Sequence, residues 1–286
     1  MKLWLARDID QGETELDVCV HTRDHRRRSH LLLKLRPLWL RELVSTHFVL
    51  RRVIDKRLFE HVHLEFAPTV CLQLKPTDRE HKRMTVQGFT ELAVSRRIAR
   101  LAKQGGLLVD VGANYGYYTC IWAAANASNR VIAFEPSPRN LGPLRRNISR
   151  NALGSQVDVR ITAVGISSGQ GHFWLGPEEE TGWGGLLTTD EYDSVVVDIV
   201  SLDRGLSSVL EPIDVLKVDT EGADTWVLNG ARTLLANHQV THVFFEDNPE
   251  RRDALGISRV EAHQMLECCG YKIESLGEGQ YYARVP

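Results

Sequence analysis

The sequence predicts an α/β fold, a doubly wound and mostly parallel sheet with helices on both faces. Three observations carry this. From residue 107 onward, short apolar runs alternate with helix-like stretches, and such alternation builds parallel sheets. The first run, Leu107-Leu108-Val109-Asp110-Val111, is almost continuously apolar, as expected of a strand buried on both faces. A glycine-rich loop, Gly112-Ala113-Asn114-Tyr115-Gly116, follows it directly, where open α/β sheets bind ligands.

The elements follow in order. Residues 1–66 read as a mixed, mostly helical basic extension, and residues 67–286 as the main domain. In the extension, residues 16–20 alternate like a short strand, Pro37 can open a helix, and residues 38–61 have a helical pattern. Residues 70–74 are strand-like and Pro76-Thr77-Asp78 forms a turn. Thr90 is positioned to cap a helix carrying Val94, Ile98 and Leu101, which Gly105-Gly106 stops. After the strand at 107–111 comes a helix through residue 127, a strand at 131–134 and a polar helix at 138–151. Strands are expected at 157–164, 195–200, 215–218 and 240–245, with a helix through residue 235 between the last two. A helix at 258–269 ends at Gly270. Strands at 271–273 and 281–285 flank Gly277-Glu278-Gly279, a closing hairpin that implies an antiparallel edge strand.

Composition narrows the function. The chain has 286 residues, 43% hydrophobic and 25% charged, which is ordinary for a globular protein and ample for one large domain with an appendage. Its 35 basic and 37 acidic residues leave a net charge of −2, so nothing points globally to nucleic acid or membrane. The charge is uneven, however. Residues 23–57 hold eleven basic and three acidic side chains, net +8, whereas residues 171–250 hold three basic and sixteen acidic, net −13. The two regions could attract each other within the fold or across a homodimer, or the arm could dock an anionic partner. The longest uncharged run, residues 111–129, contains two glycines and three asparagines and is no membrane span. Leu3-Trp4-Leu5-Ala6 is too short for a signal-peptide core. The five cysteines include no C-x-x-C pair, so reduced thiols in a cytoplasmic protein are expected.

The loop after the first strand identifies the chemistry. A dinucleotide site calls for G-x-G-x-x-G, but here Asn114 stands where the second glycine would be, and Asp110 would repel a pyrophosphate. An acid suits a cationic ligand, and S-adenosylmethionine carries an amino group and a sulfonium but no phosphate. The second strand ends in Glu135, whose carboxylate can accept both ribose hydroxyls.

With those residues in view, the chain from about 87 to 249 resembles the FkbM-type family of S-adenosylmethionine-dependent methyltransferases. The segments that carry the resemblance are L-V-D-V-G-A-N-Y-G-Y-Y-T at 108–119, V-I-A-F-E-P at 131–136, L-K-V-D-T-E-G at 216–222 and L-N-G-A at 228–231. Phe245-Glu246 and Gly88-Phe89-Thr90-Glu91 support it. One departure is Asp224, where the family more often has glutamate. The resemblance implies a class I methyltransferase (Rossmann-like) seven-stranded sheet, with S-adenosyl-L-methionine held by Asp110, Gly112, Asn114, Tyr115, Gly116, Glu135 and Glu91. It also implies a hydroxyl of a sugar or secondary metabolite as acceptor, as in natural product biosynthesis. Transfer to an amide nitrogen, such as an Asn side chain of a peptide, is the alternative, and a non-catalytic cofactor-binding scaffold is a further one. The acceptor is thus a small molecule or a peptide.

An acceptor hydroxyl must lose its proton. Asp219 and Glu221 lie at the tip of the fourth core strand and are the first candidates to take it or to orient the substrate. Glu246 and Asp247 end the next strand, and Lys217 could neutralise one of the acids. In a rival account, Asp219, Glu246, Asp247 and Asn248 would hold Mg²⁺. Tyr115, Tyr117 and Tyr118 follow the loop and read as core packing rather than as catalytic groups. Gly182-Trp183-Gly184-Gly185 reads either as a cover over the acceptor or as a plain connection.

Overall fold

The computed structural model describes residues 37–42, 55–188 and 194–286; the expected strand at 16–20 and most of the basic arm lie outside them. Its centre is a seven-stranded sheet in the order β12-β13-β11-β10-β3-β4-β5. Here β3 is Leu107–Val111, β4 Arg130–Phe134, β5 Val157–Arg160, β10 Ile213–Val218, β11 Val240–Glu246, β12 Lys272–Gly277 and β13 Gln280–Arg284. The five strands from β11 to β5 run parallel. β3 is the middle one, and all five of its residues are buried.

Helices cover both faces, as crossover connections require. Ile98, Trp122 and Leu144 pack on one face, and Leu202, Val227 and Leu266 on the other. The helices Leu92–Ala102, Tyr117–Ala125 and Pro138–Arg150 stand where the apolar spacing and Pro138 place them. The expected cap of the first is corrected: Glu91, at φ 42°, is its N-cap residue, and Thr90 instead accepts a bond from Ser95 Oγ.

Three expectations change in detail. The closing hairpin does occupy the sheet edge, but its antiparallel strand β13 lies second, inside β12. The crossover from β11 through helix Glu261–Cys268 leaves a one-strand gap, and a tight hairpin can fill that gap only by reversing direction. The run at 157–164 is two strands. The chain leaves the main sheet after Arg160, and β6 (Ala163–Val164) joins a second sheet of order β6-β9-β7-β8. That sheet contains β7 (Gly169–Trp174), β8 (Gly185–Leu186) and β9 (Ser194–Val200). The helix expected through residue 235 is also two, Asp224–Asn229 and Arg232–Ala236. They meet at Gly230, where a Cβ would stand 2.1 Å from the Gly165 carbonyl oxygen.

Ahead of the sheet, β1 (Val62–His63) pairs antiparallel with β2 (Cys71–Leu72). Phe59, Val62 and Leu64 join the same core as Leu108 and Trp122, so the packed unit extends across the 66/67 division. Helix Arg79–Gln87 follows, capped by the Asp78 side chain and closed by Gly88 at φ 81°. Of the basic arm, Arg41 is fully buried and donates to the Gln87 carbonyl at 2.8 Å and to Glu65 at 2.9 Å.

Candidate functional site

The parallel strands end together, so their tips form one cleft. In register across the sheet, Lys217 of β10 stands opposite Asp110 of β3. A cavity of about 580 Å³ opens there, lined by Glu91, Asp110, Gly112, Asn114, Tyr115, Lys217, Asp219, Glu221 and Glu246. A smaller one of about 80 Å³ adjoins it on the β4 side, lined by Glu135, Asn140 and Thr181 and sharing Gly112, Asn114, Asp219 and Glu221. Ten of the eleven residues singled out from sequence thus reach one continuous cleft. The exception is Gly116, which lines neither cavity. It turns the chain into helix Tyr117–Ala125 at φ 86°.

Gly112 shows why the loop needs its first glycine. Its φ is +82°, and a Cβ would lie 1.9 Å from the Asp219 carbonyl oxygen. The β3 and β10 loops therefore touch backbone to backbone. Asn114 and Glu221 also adopt positive φ, at 48° and 54°. With Glu91 at 42°, three non-glycine residues lining the cleft are thus held at positive φ, a feature that clusters at functional sites.

On the β4 side the carboxylates are well supported. Glu135 accepts the Asn114 N–H at 2.7 Å, the Ser137 N–H at 2.9 Å and a longer bond from Asn140. Burial nonetheless raises its pKa to about 7, against those bonds. Asp110 is buried. One oxygen accepts the Thr119 hydroxyl at 2.6 Å, and the other, Oδ1, has no partner among the described residues. Burial pushes its carboxyl up, while Lys217 opposes this. An orphaned buried carboxylate oxygen beside a cavity fits a ligand ammonium, so these residues suit S-adenosylmethionine.

The β10–β11 side is different. Lys217 is buried, bridges Asp219 at 2.8 Å and lies 5.0 Å from the centre of the Tyr118 ring. Burial disfavours its charge, but Asp219, Asp110 and Glu91 together outweigh burial and hold the ammonium above its usual range. Four carboxylates stand together on this side of the cavity, Glu91, Asp219, Glu221 and Glu246. Burial, then Asp219, raises Glu91 to about 7 and Glu221 to about 8. The same two causes in the same order raise Glu246 to about 9. Tyr118 donates to Glu91 at 2.6 Å and Asn248 to Glu221 at 3.3 Å. Asp224 keeps the framework: it accepts both the Glu246 N–H and the Thr220 N–H, tying the two strand tips together.

The donors of the metal account do not converge. Asp247 pairs with Arg252, and Asn248 Oδ1 caps helix Pro249–Ala254. Among the described residues, no group of three or more His, Cys, Asp or Glu is placed to share an ion.

The glycine–tryptophan loop does lie against the cleft. Gly182 and Gly184 line the smaller cavity, and Gly185, in β8, faces the Thr220 and Glu221 carbonyls. Trp183 is about half exposed, with Arg251 between it and Trp174. Sequence reasoning missed Asp78, His81 and Thr181. Asp78 accepts the His81 N–H at 2.8 Å and the Thr181 N–H at 2.6 Å, so it locks helix Arg79–Gln87 to the loop beside Asn114. The only local signal was an acid one residue ahead of a helix.

The family model for the methyltransferase FkbM domain matches residues 110–273, more than half of the chain. The hexuronic acid methyltransferase AglP of Haloferax volcanii is 31% identical over 165 residues, 54% of this chain and 65% of that protein. Methyltransferase sdnD of Sordaria araneosa is 32% identical over 154 residues, 43% of this chain and 59% of that protein. The chain thus spans less than two thirds of the length of these curated relatives. Among solved structures, the methyltransferase PaMTH1 of Podospora anserina superposes over 87% of this chain and 96% of its own, at 12% identity and a TM-score of 0.45.

Proposed function

The chain belongs to the FkbM methyltransferase domain family, and from that premise we propose that it transfers a methyl group from S-adenosylmethionine to a hydroxyl of a sugar or secondary metabolite. One observation carries this reading. A cleft with an orphaned acid on a glycine-rich loop faces a group of carboxylates with raised pKa across a cavity of about 580 Å³. The first side suits the cofactor and the second suits a neutral acceptor that must give up a proton.

Asp110 Oδ1 would take the ammonium of the cofactor. Glu135 would take one of its ribose hydroxyls rather than both, since a carboxylate has about four lone-pair sites and three are in use here. When bound, the cofactor supplies an electrophilic methyl group. The chain's own part is to hold the acceptor oxygen in line, which is worth up to ~7–11 kcal/mol in favourable cases, and to receive the proton that oxygen releases. Glu221 and Glu246 fit that last task. Their pKa values lie near 8 and 9, where a group is a far stronger base than an ordinary carboxylate yet still ionises near the working pH. Because they interact, the proton belongs to the pair rather than to either residue. Asp219, bonded to Lys217, is the largest neighbouring charge acting on both and keeps their pKa values up.

Calorimetry checks the cofactor half: S-adenosylhomocysteine should bind and NAD should not. Intact-mass analysis of hydroxylated and amide-bearing acceptors after turnover checks the acceptor half. Methylation confined to amides would overturn the hydroxyl assignment, and NAD binding without S-adenosylhomocysteine binding would overturn the whole reading.

A further inference from the structure

His81 lines the larger cavity next to Tyr115, and nothing in the proposed chemistry uses it. It is the third residue of helix Arg79–Gln87 and only 3% exposed. Its ring packs on the Tyr115 ring with centroids 4.5 Å apart, and Tyr115 belongs to the same loop as Asp110 and Asn114. Its Nδ1 accepts the Lys75 backbone N–H at 3.1 Å. Asp78 cannot serve it well: one Asp78 oxygen already takes the His81 backbone N–H and the other takes Thr181.

These contacts set the tautomer. A ring nitrogen that accepts a backbone N–H carries no proton, so the neutral imidazole keeps its proton on Nε2. Burial lowers the pKa of the ring to about 4; Lys75 adds to this and Asp78 opposes it, so the ring is neutral at physiological pH. Among the described residues, no protein acceptor takes the Nε2–H.

A neutral, pre-oriented donor is distinctive in this cavity, whose lining is rich in carboxylates; its cations besides Lys217 are Arg83, which pairs with Glu80, and the exposed Arg96. The amino-acid end of S-adenosylmethionine carries an ammonium and a carboxylate. Asp110 answers the ammonium. The carboxylate needs donors, and Asp219, Glu221 and Glu246 would repel it, while Lys217 is already bridged to Asp219. On the glycine-loop side, where Asp110 would place the amino-acid end, His81 is a buried side chain with a donor to spare. We propose that His81 is a binding residue for the cofactor, donating from Nε2 to the carboxylate of its amino-acid end. The inference rests on the reading of the cleft as an S-adenosylmethionine site.

Two probes separate this contact from packing. S-adenosylhomocysteine has the amino-acid end, and 5′-methylthioadenosine lacks it. By calorimetry, His81→Phe, which retains a ring against Tyr115, should raise the Kd for S-adenosylhomocysteine by roughly 10- to 150-fold, the range for a hydrogen bond to a charged group. Its Kd for 5′-methylthioadenosine should hardly change. His81→Gln, whose amide N–H can reach the Nε2 position, should recover part of the loss and guards against a misfolded Phe variant. Equal losses for both ligands, or no loss for either, would make His81 a packing residue and overturn the proposal. Failure of the unmodified chain to bind S-adenosylhomocysteine would instead strike the reading of the site itself, and is seen before any variant is made.

Discussion

The two sides of the cleft handle buried acids in opposite ways. On the β3–β4 side, Glu135 accepts three protein donors and Asp110 one. Those donors come from residues within a few positions of the glycine-rich loop and the β4 tip. On the β10–β11 side, Glu91, Asp219, Glu221 and Glu246 crowd together, and Lys217 bridges Asp219. There the largest electrostatic influence on each glutamate is another carboxylate. The first side is prebuilt for a ligand of fixed shape. The second stores unfavourable charge that proton uptake relieves. A ligand that donates protons into it gains more than one that brings an anion, because an unpaired buried charge is costly.

Four substitutions or conditions would break or sharpen this contrast. The largest effect should come from removing the proposed proton acceptors. The double variant Glu221→Gln/Glu246→Gln should lower kcat by about 10²–10⁴, the usual range for general-base catalysis, while its Kd for S-adenosylhomocysteine stays close to that of the parent. In the parent, activity should climb with pH toward 8–9 as the pair ionises, and the double variant should lose that climb. Steady-state kinetics across pH decide it. An unchanged kcat would return these acids to a purely structural role.

The opposite side should respond in binding instead. Glu135→Ala removes a charged acceptor, so the Kd for S-adenosylhomocysteine should rise by roughly 10- to 150-fold, as measured by titration calorimetry. Kinetics at saturating cofactor should show little loss.

Gly112→Ala tests the seam between the sides, because the new Cβ would press on the Asp219 carbonyl. Overpacking of this kind costs about 1–3 kcal/mol, and the positive φ adds to it. Thermal and denaturant unfolding should show lower stability, and both cofactor affinity and kcat should fall together. A loss confined to binding would mean that the two loops are mechanically independent.

The last expected effect is on stability against pH. Glu221 and Glu246 move up from 4.5 to about 8 and 9 in the folded chain. The native state therefore binds their protons more tightly than the unfolded state does. The stabilisation is full below pH 4.5 and is lost as pH rises through 8–9. The Tm of the cofactor-free protein should accordingly fall between pH 6 and pH 9, and the Gln pair should flatten the fall. A slope that survives both substitutions would place its origin elsewhere.

Much of this molecule was legible in its sequence because the signals are local. Buried parallel strands need nearly continuous apolar runs, so β3, β4, β10 and β11 announce themselves. A loop that must approach another backbone needs glycine, so Gly112 stands out, and an acid at a strand tip beside such a loop points to a cationic ligand. Other features carry no local mark. In the second sheet only β9 was legible: β6 and β8 are two-residue strands, and β7 has three polar or glycine residues at its start. The closing hairpin announces its turn but not its place, since only the crossover from β11 decides that β13 lies inside β12.

What tertiary structure alone decided are the pairings between distant positions. Asp78 meets Thr181 across 103 residues of chain, and His81 meets Tyr115. Glu91, Glu221 and Glu246 come from three separate elements and acquire raised pKa values only where Asp219 and burial act on all of them. Periodicity reports which face of a segment is buried. It does not report which buried charges will share a space, because that depends on where strands from distant parts of the chain end, and in this fold they end at one cleft.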